Sequence, residues 1–439
     1  MVFADSTQTM DLMPTRLHNP LLLGLVLIVS VCLVIYQGWD MVAQDGEPIL
    51  QGNDDTGYFL WLNSWVVDRD NDLVNNLSEL ETLSDERRTE WISETHPSTG
   101  KVLNKYPVGW ALLNWPIYET THWIYGFFNP HATGTEPIYF LSIWAFQLLL
   151  AGSSLGFAYQ ILTHFLSKDS AQWAILTTWL ASPLVYYQTA RLGLIHNQAF
   201  FLTTVMIWLS LRLKSNQSYT SWLALGFASS LLIITRPTSI AYVIIPAYFG
   251  ILRVLLQPKQ TFRYLLAGIL AGCIPISVQL LVWKDVYGSW LVFSYHGEPF
   301  FLVNPNFWGS LFSDRHGLFN WHPYLLLGAV GWIYGSLFKQ VLPKVWIASF
   351  AVIAYLNSAW WCWWFGSSFG NRAYEGAILF FMAGIGYLFR RLEGTKWPRM
   401  ALLIVSTCAI AWNLFLLSQY LTQRFDRSLP VSYLERLLG

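Results

Sequence analysis

Two neighbouring carboxylates, Asp54 and Asp55, stand in the stretch QGNDDTGYFLWLNSW, residues 51–65, shortly after the first apolar run of the chain. Adjacent acids repel each other, so such a pair asks for a cation, a proton or a basic substrate group close by. One of them can then serve as a general base and take a proton from an attacking hydroxyl. Gly52-Asn53 permits a sharp bend just before the pair, which would hold Asp54 towards the membrane surface. Carboxylates in this position also cap helices, and spacing alone does not separate the two roles. The pair could hold a divalent metal as well, but no HExxH-like ligand spacing accompanies it, and no other cofactor is implied. Tyr58, Phe59, Trp61 and Trp65 read as a helix lying against the membrane interface.

Six further stretches carry unusual residues. Lys101 and Lys105 in HPSTGKVLNKYPVGW suit a phosphate, or simply snorkel to the interface. His196 closes YYQTARLGLIH, and Arg236 lies in TRPT beside Pro237. Both could be interfacial anchors, but an arginine facing lipid is costly, so Arg236 is expected to face protein or water. Tyr295 and Glu298 lie in SYHGEPFFLVNPN, and Asp314, Arg315 and His316 form an acid-base cluster in LFSDRHGLFNWHP. Arg372 follows the turn GSSFGN, whose backbone N–H groups could face an anion, and the guanidinium fork suits phosphate. Trp360, Trp361, Trp363 and Trp364 just before it read as a membrane aromatic belt or as faces on which sugar rings stack.

These residues need a scaffold, and composition says which kind. The chain has 439 residues, of which 54% are hydrophobic, 17% aromatic and only 12% charged. A soluble domain carries roughly 25% charged residues. The expectation is an all-α, polytopic membrane protein with a single domain over 1–439 and about 11–12 spans of ~20 residues. The first span is placed at 20–37, a retained signal anchor, with the others inside 107–420: near 107–128, 137–163, 171–187, 195–211, 220–234, 238–256, 264–283, 321–338, 343–358, 373–389 and 400–420. Basic connectors at Arg212 and Lys214, Arg253 to Arg263, Lys339 and Lys344, and Arg390 to Arg399 would then share one face, the cytoplasmic one. The long loops 38–106 and 285–320 fall on the opposite, extracytoplasmic side. Counting back conflicts with a full crossing by 107–128, the least apolar segment. The zero net charge gives no argument for nucleic acid. Cys32, Cys273, Cys362 and Cys408 match no metal or redox spacing.

The acid pair, KYPVG, YYxxxR with its histidine, TRPT, SYHGE, LFSDRHGLFNWHP and WWxWWFGSSFGNR occur here in one order over nearly the whole chain. In that order the chain resembles a bacterial GT-C-type family of multi-spanning glycosyltransferases. It is similar to dolichyl-phosphate-mannose protein mannosyltransferases and rhizobial core-oligosaccharide galacturonosyltransferases. The resemblance implies an inverting enzyme of the inner (plasma) membrane. Its partners would be a polyprenyl-phosphate-sugar donor and a glycan, lipid or protein acceptor outside the cytoplasm. It puts the family's first-loop acid on Asp54-Asp55, where many relatives have Asp-Glu. The donor-site set is then Tyr58, Lys105, His196, Arg236, Tyr295, Glu298, Arg315, His316, Trp360, Trp364 and Arg372, with Lys105, Arg315 or Arg372 as phosphate cations. A flippase for lipid-linked sugars is the competing expectation; it should show repeated halves and charges within its spans. A membrane subunit without chemistry is the third.

Overall fold

The computed structural model describes residues 50, 52–80, 84–213 and 218–438. The expected first span, 20–37, and the start of the first long loop lie outside them. The described residues form helices and irregular connections, with two isolated antiparallel bridges, Thr95 with Val102 and Phe300 with Trp360.

Among the described residues four helices are long and apolar enough to cross a membrane: Pro137–Thr163, Pro237–Leu256, Pro258–Tyr287 and Lys396–Leu421. Three shorter apolar helices, Tyr219–Thr235, Pro323–Leu337 and Val345–Ala359, accompany them. Two of the expected spans are broken. The segment 171–187 breaks at Ser182-Pro183 into Lys168–Leu180 and Leu184–Thr189. The segment 373–389 opens as a tight 3-10 turn, Arg372–Ala377, before the helix Ile378–Arg391.

Helix pairs approach through glycine. A Cβ on Gly226 would lie 1.8 Å from the carbonyl oxygen of Gly268, and one on Gly384 would lie 1.8 Å from that of Gly328. Residues without side chains therefore bring Tyr219–Thr235 against Pro258–Tyr287, and Pro323–Leu337 against Ile378–Arg391. This is the small-residue packing common between apolar helices. A buried amide chain adds direction: Gln147 donates to Asn114, Asn197 to Gln147, Gln188 to Asn197 and Ser154, and Trp179 to Gln188.

The basic connectors gather at one end of the bundle. Arg253 donates to the Leu213 carbonyl, Trp208 to Gln160, Arg390 to the Phe165 carbonyl, and Arg399 pairs with Asp169. The two long loops meet at the other end. Thr99 donates to the Val286 carbonyl, Tyr287 to the Asn104 carbonyl and Ser294 to the Lys105 carbonyl, while Lys101 pairs with Asp285. The helix Gly109–Gly126 starts against Thr235, at the loop end. It finishes beside Tyr139 in the first turn of Pro137–Thr163, where Tyr125 and His122 touch the Tyr139 side chain. Both its ends thus lie at the same end of the bundle.

Candidate active site

The helix Asn53–Asn63 begins after Gly52, and its second and third residues are the two acids. Successive side chains on a helix point about 100° apart, so the pair diverges. Asp55 turns inward and is 1% exposed. Its Oδ1 accepts from the backbone N–H of Gly52 at 2.9 Å and of Thr56 at 3.2 Å, and its Oδ2 accepts from Arg191 at 2.8 Å. This is the capping role, with a buried ion pair added. Asp54 turns the other way, onto a cavity of about 390 Å³. Its Oδ1 accepts from the Tyr106 hydroxyl at 2.7 Å and its Oδ2 from Arg372 at 2.7 Å. Burial pushes the Asp54 carboxyl up, but the Arg372 charge and the bonds from Tyr106 and Arg372 outweigh it and leave it below the ordinary carboxylate value.

Tyr106 is placed by the first loop. Its carbonyl accepts from the Trp61 indole at 2.8 Å, and Asn104 donates to the Gly57 carbonyl at 2.8 Å. The Tyr106 ring lies directly on Gly57, where an added Cβ would come within 2.0 Å of Cδ2. Arg372 is placed by the turn before it. Gly366 and Gly370 have φ of +69° and +65°, and Asn371 ties the turn down by donating to the Ser310 and Trp363 carbonyls. Three N–H groups in and just after this turn are taken up by the protein. The N–H of Ser368 bonds the Gly366 carbonyl, that of Phe369 the Tyr187 hydroxyl and that of Arg372 the Gly370 carbonyl. Its contribution to the cavity is the guanidinium.

Of the thirteen residues expected at the site, nine line this cavity: Asp54, Tyr58, Lys105, His196, Arg236, Tyr295, Glu298, Trp360 and Arg372. Lys105 pairs with Glu298, which also accepts from the Trp361 indole at 3.2 Å. Trp360 packs edge-on against Tyr295 and Phe300, at 5.6 and 4.7 Å between ring centres. Trp283, Val292, Phe293 and Phe365 complete an apolar wall. Arg236 sits in extended backbone between a helix end and Pro237, as the proline suggested. It donates to Glu375 at 3.1 Å, and its guanidinium lies 3.2 Å from His196 Nδ1, which in turn lies 3.7 Å from Glu375.

Four expected residues are elsewhere. Asp55 belongs to the scaffold, as above. Arg315 lies flat on Trp364, 3.7 Å from the ring centre, and both stand outside the cavity lining. The His316 side chain is fully buried behind Trp364, with Nδ1 3.1 Å from the Trp364 carbonyl. Burial pushes it down to about 4, so it is a neutral packing residue. Of the four tryptophans, Trp360 and Trp361 line the cavity, while Trp363 and Trp364 do not. The metal expectation does not fit the donors. The two carboxyls diverge, an arginine engages each, and no group of three or more His, Cys, Asp or Glu among the described residues could hold an ion.

Tyr106, Arg191 and Glu375 engage the site residues without having been singled out for it. Tyr106 and Arg191 stood inside quoted motifs, KYPVG and YYQTAR, but nothing local marks a tyrosine or arginine as the partner of an acid far away in sequence. Compared with known proteins, the chain matches no family model and no curated sequence.

Proposed function

We propose that the protein is a membrane-embedded glycosyltransferase that moves a sugar from a polyprenyl-phosphate carrier to an acceptor hydroxyl. The observation that carries this reading is the convergence of a carboxylate, Asp54, with the cations Arg372, Lys105 and Arg236 and an aromatic wall in one cavity. A lipid-linked donor needs all three: apolar wall for its chain, positive charge for its phosphate, and a base beside its sugar. Exposed Leu291, Val303 and Trp308 on the second long loop offer the chain a greasy approach to Phe293 and Phe300 in the wall. The four long apolar helices fit a bilayer, and an extracytoplasmic cavity is the reading that the positive-inside rule supports for the gathered basic connectors. The GT-C resemblance points to the same chemistry.

Asp54 takes the proton from the acceptor hydroxyl as that oxygen bonds to the anomeric carbon. The bond from that carbon to the phosphate oxygen breaks, and its electron pair leaves on the lipid phosphate. Arg372 and Lys105 stabilise the charge that builds there. A single displacement of this kind inverts the anomeric centre. The test is transfer of radiolabelled sugar from a polyprenyl-phosphate donor to extracted envelope acceptors by the purified protein in a bilayer. Movement of the donor across the bilayer with no transfer would replace this reading with the flippase.

A further inference from the structure

Each cation at the cavity already has an acid of its own: Arg372 has Asp54, Lys105 has Glu298 and Arg236 has Glu375. An entering anion must therefore take a cation away from a carboxylate. The pair of Lys105 with Glu298, at 39% and 18% exposed, is about as open as that of Arg372 with Asp54, and Arg236 with Glu375 is the most enclosed of the three. Arg236 is 9% and Glu375 3% exposed in their side chains, and His196 shares the pair. The Arg372 side chain is 19% and that of Asp54 35% exposed, both face the cavity, and a single hydrogen bond joins them. A guanidinium holding a carboxylate through one nitrogen can gain a second bond by moving to a phosphate, which accepts its fork in bidentate fashion. Asp54 would keep its place when Arg372 leaves, because Tyr106 holds its other oxygen.

We propose that Arg372 is a latch on Asp54, opened by the phosphate of the ligand, so that the carboxylate becomes a working base only after the donor has arrived. The proposal rests on the donor reading above. While Arg372 is bound, the Asp54 lone pairs point into a guanidinium and a phenol and are poor proton acceptors. Once Arg372 turns to the phosphate, a half-buried carboxylate beside an anion gains basicity, and the acceptor oxygen can hand it a proton. The other groups around Asp54 do not supply this switch. Tyr58, Tyr106 and Tyr295 are phenols, His196 and Arg236 are tied to Glu375, and Lys105 is tied to Glu298. The latch imposes an order in which donor binding precedes acceptor deprotonation.

The test reads the Asp54 carboxyl in the full chain in lipid nanodiscs, by infrared titration, its band being the one lost in Asp54→Asn. The probe is a polyprenyl phosphate without sugar, and its binding is followed separately by the melting temperature. The latch requires the Asp54 midpoint to rise by about 1–3 pH units when the probe binds, the range over which one neighbouring charge moves a carboxylate. Arg372→Gln should raise the midpoint similarly with no probe present, and the probe should then add little. Should the glutamine variant not fold, Arg372→Lys serves instead, with a midpoint between the two states. Probe binding with an unmoved midpoint overturns the latch and leaves the donor reading standing. An equal probe-driven rise in Arg372→Gln also overturns it, because the probe's own charge would then be the cause. A probe that does not bind overturns the donor reading and the latch together.

Discussion

Asp55→Asn separates the two adjacent carboxylates most sharply. The substitution keeps the shape and removes one charge. The asparagine oxygen can still accept from the Gly52 and Thr56 N–H groups, so the helix cap survives. The amide nitrogen, however, would face Arg191, donor against donor, where a carboxylate oxygen now sits at 2.8 Å. The side chains of this pair are 1% and 15% exposed, so water cannot take over. Breaking a buried ion pair by removing one partner costs about 3–5 kcal/mol, far more than the ~1 kcal/mol typical of a cap. The variant should therefore melt well below the wild type in nanodiscs, followed by tryptophan fluorescence. The fraction that remains folded should transfer sugar at near wild-type rate, because Asp55 does not reach the cavity. A wild-type melting curve combined with lost transfer would refute the division of labour and restore Asp55 to the chemistry.

Asp54→Asn should do the opposite, lowering transfer by about 10²–10⁴-fold, the usual contribution of a general base, with a smaller loss of melting temperature than Asp55→Asn because Asp54 is 35% exposed; a normal rate in the transfer assay removes Asp54 as the base. Gly57→Ala should push the Tyr106 ring off its seat, since the new methyl would lie 2.0 Å from Cδ2, and should cost kcat more than donor affinity; steady-state kinetics showing only a KM change would contradict it. Gly370→Ala places a Cβ 2.1 Å from His322 Nε2 at a φ of +65° and should abolish folded yield in detergent extraction, whereas Gly366→Ala, with open space around it, should be milder. His316 carries a pH signature. Its folded value of about 4 lies below the usual 6.5, so the unfolded chain binds the extra proton between them, and stability falls as pH drops from about 6.5 to 4. His316→Gln should flatten that part of the melting-temperature profile, and an unchanged slope would show that another group sets it.

Much of this site was readable because its chemistry is concentrated in short, odd stretches of an otherwise apolar chain. Arg236 stood out as a charge that lipid would not tolerate, Lys105 and Arg372 as cations suited to a phosphate, and the cavity gathers all three. What could not be read was direction. Asp54 and Asp55 are the same residue type one position apart, and only the helix rotation fixed by Gly52 sends one to the cavity and the other to Arg191. Arg315 and His316 looked as reactive as Arg372, but the left-handed turn at His316, with φ of +59°, folds that stretch behind Trp364. The helix boundaries were legible from apolar runs, with Pro137–Thr163 read to the residue. The breaks inside 171–187 and 373–389 were not, because an apolar run carries little sign of where its hydrogen bonding changes.

The span from Asp54 to Arg372 also sets a timetable for the nascent chain. The two residues are 318 positions apart. At about 5–20 residues per second, a ribosome needs roughly 16–64 s between them. During that interval the helix carrying Asp54 has been made while the arginine that neutralises it has not. Arg191, the anchor of the neighbouring acid, arrives earlier, 136 positions after Asp55. The scaffold acid can thus be secured well before the cavity acid. A nascent chain stopped before residue 372 would carry Asp54 with Tyr106 available to one oxygen and no guanidinium for the other.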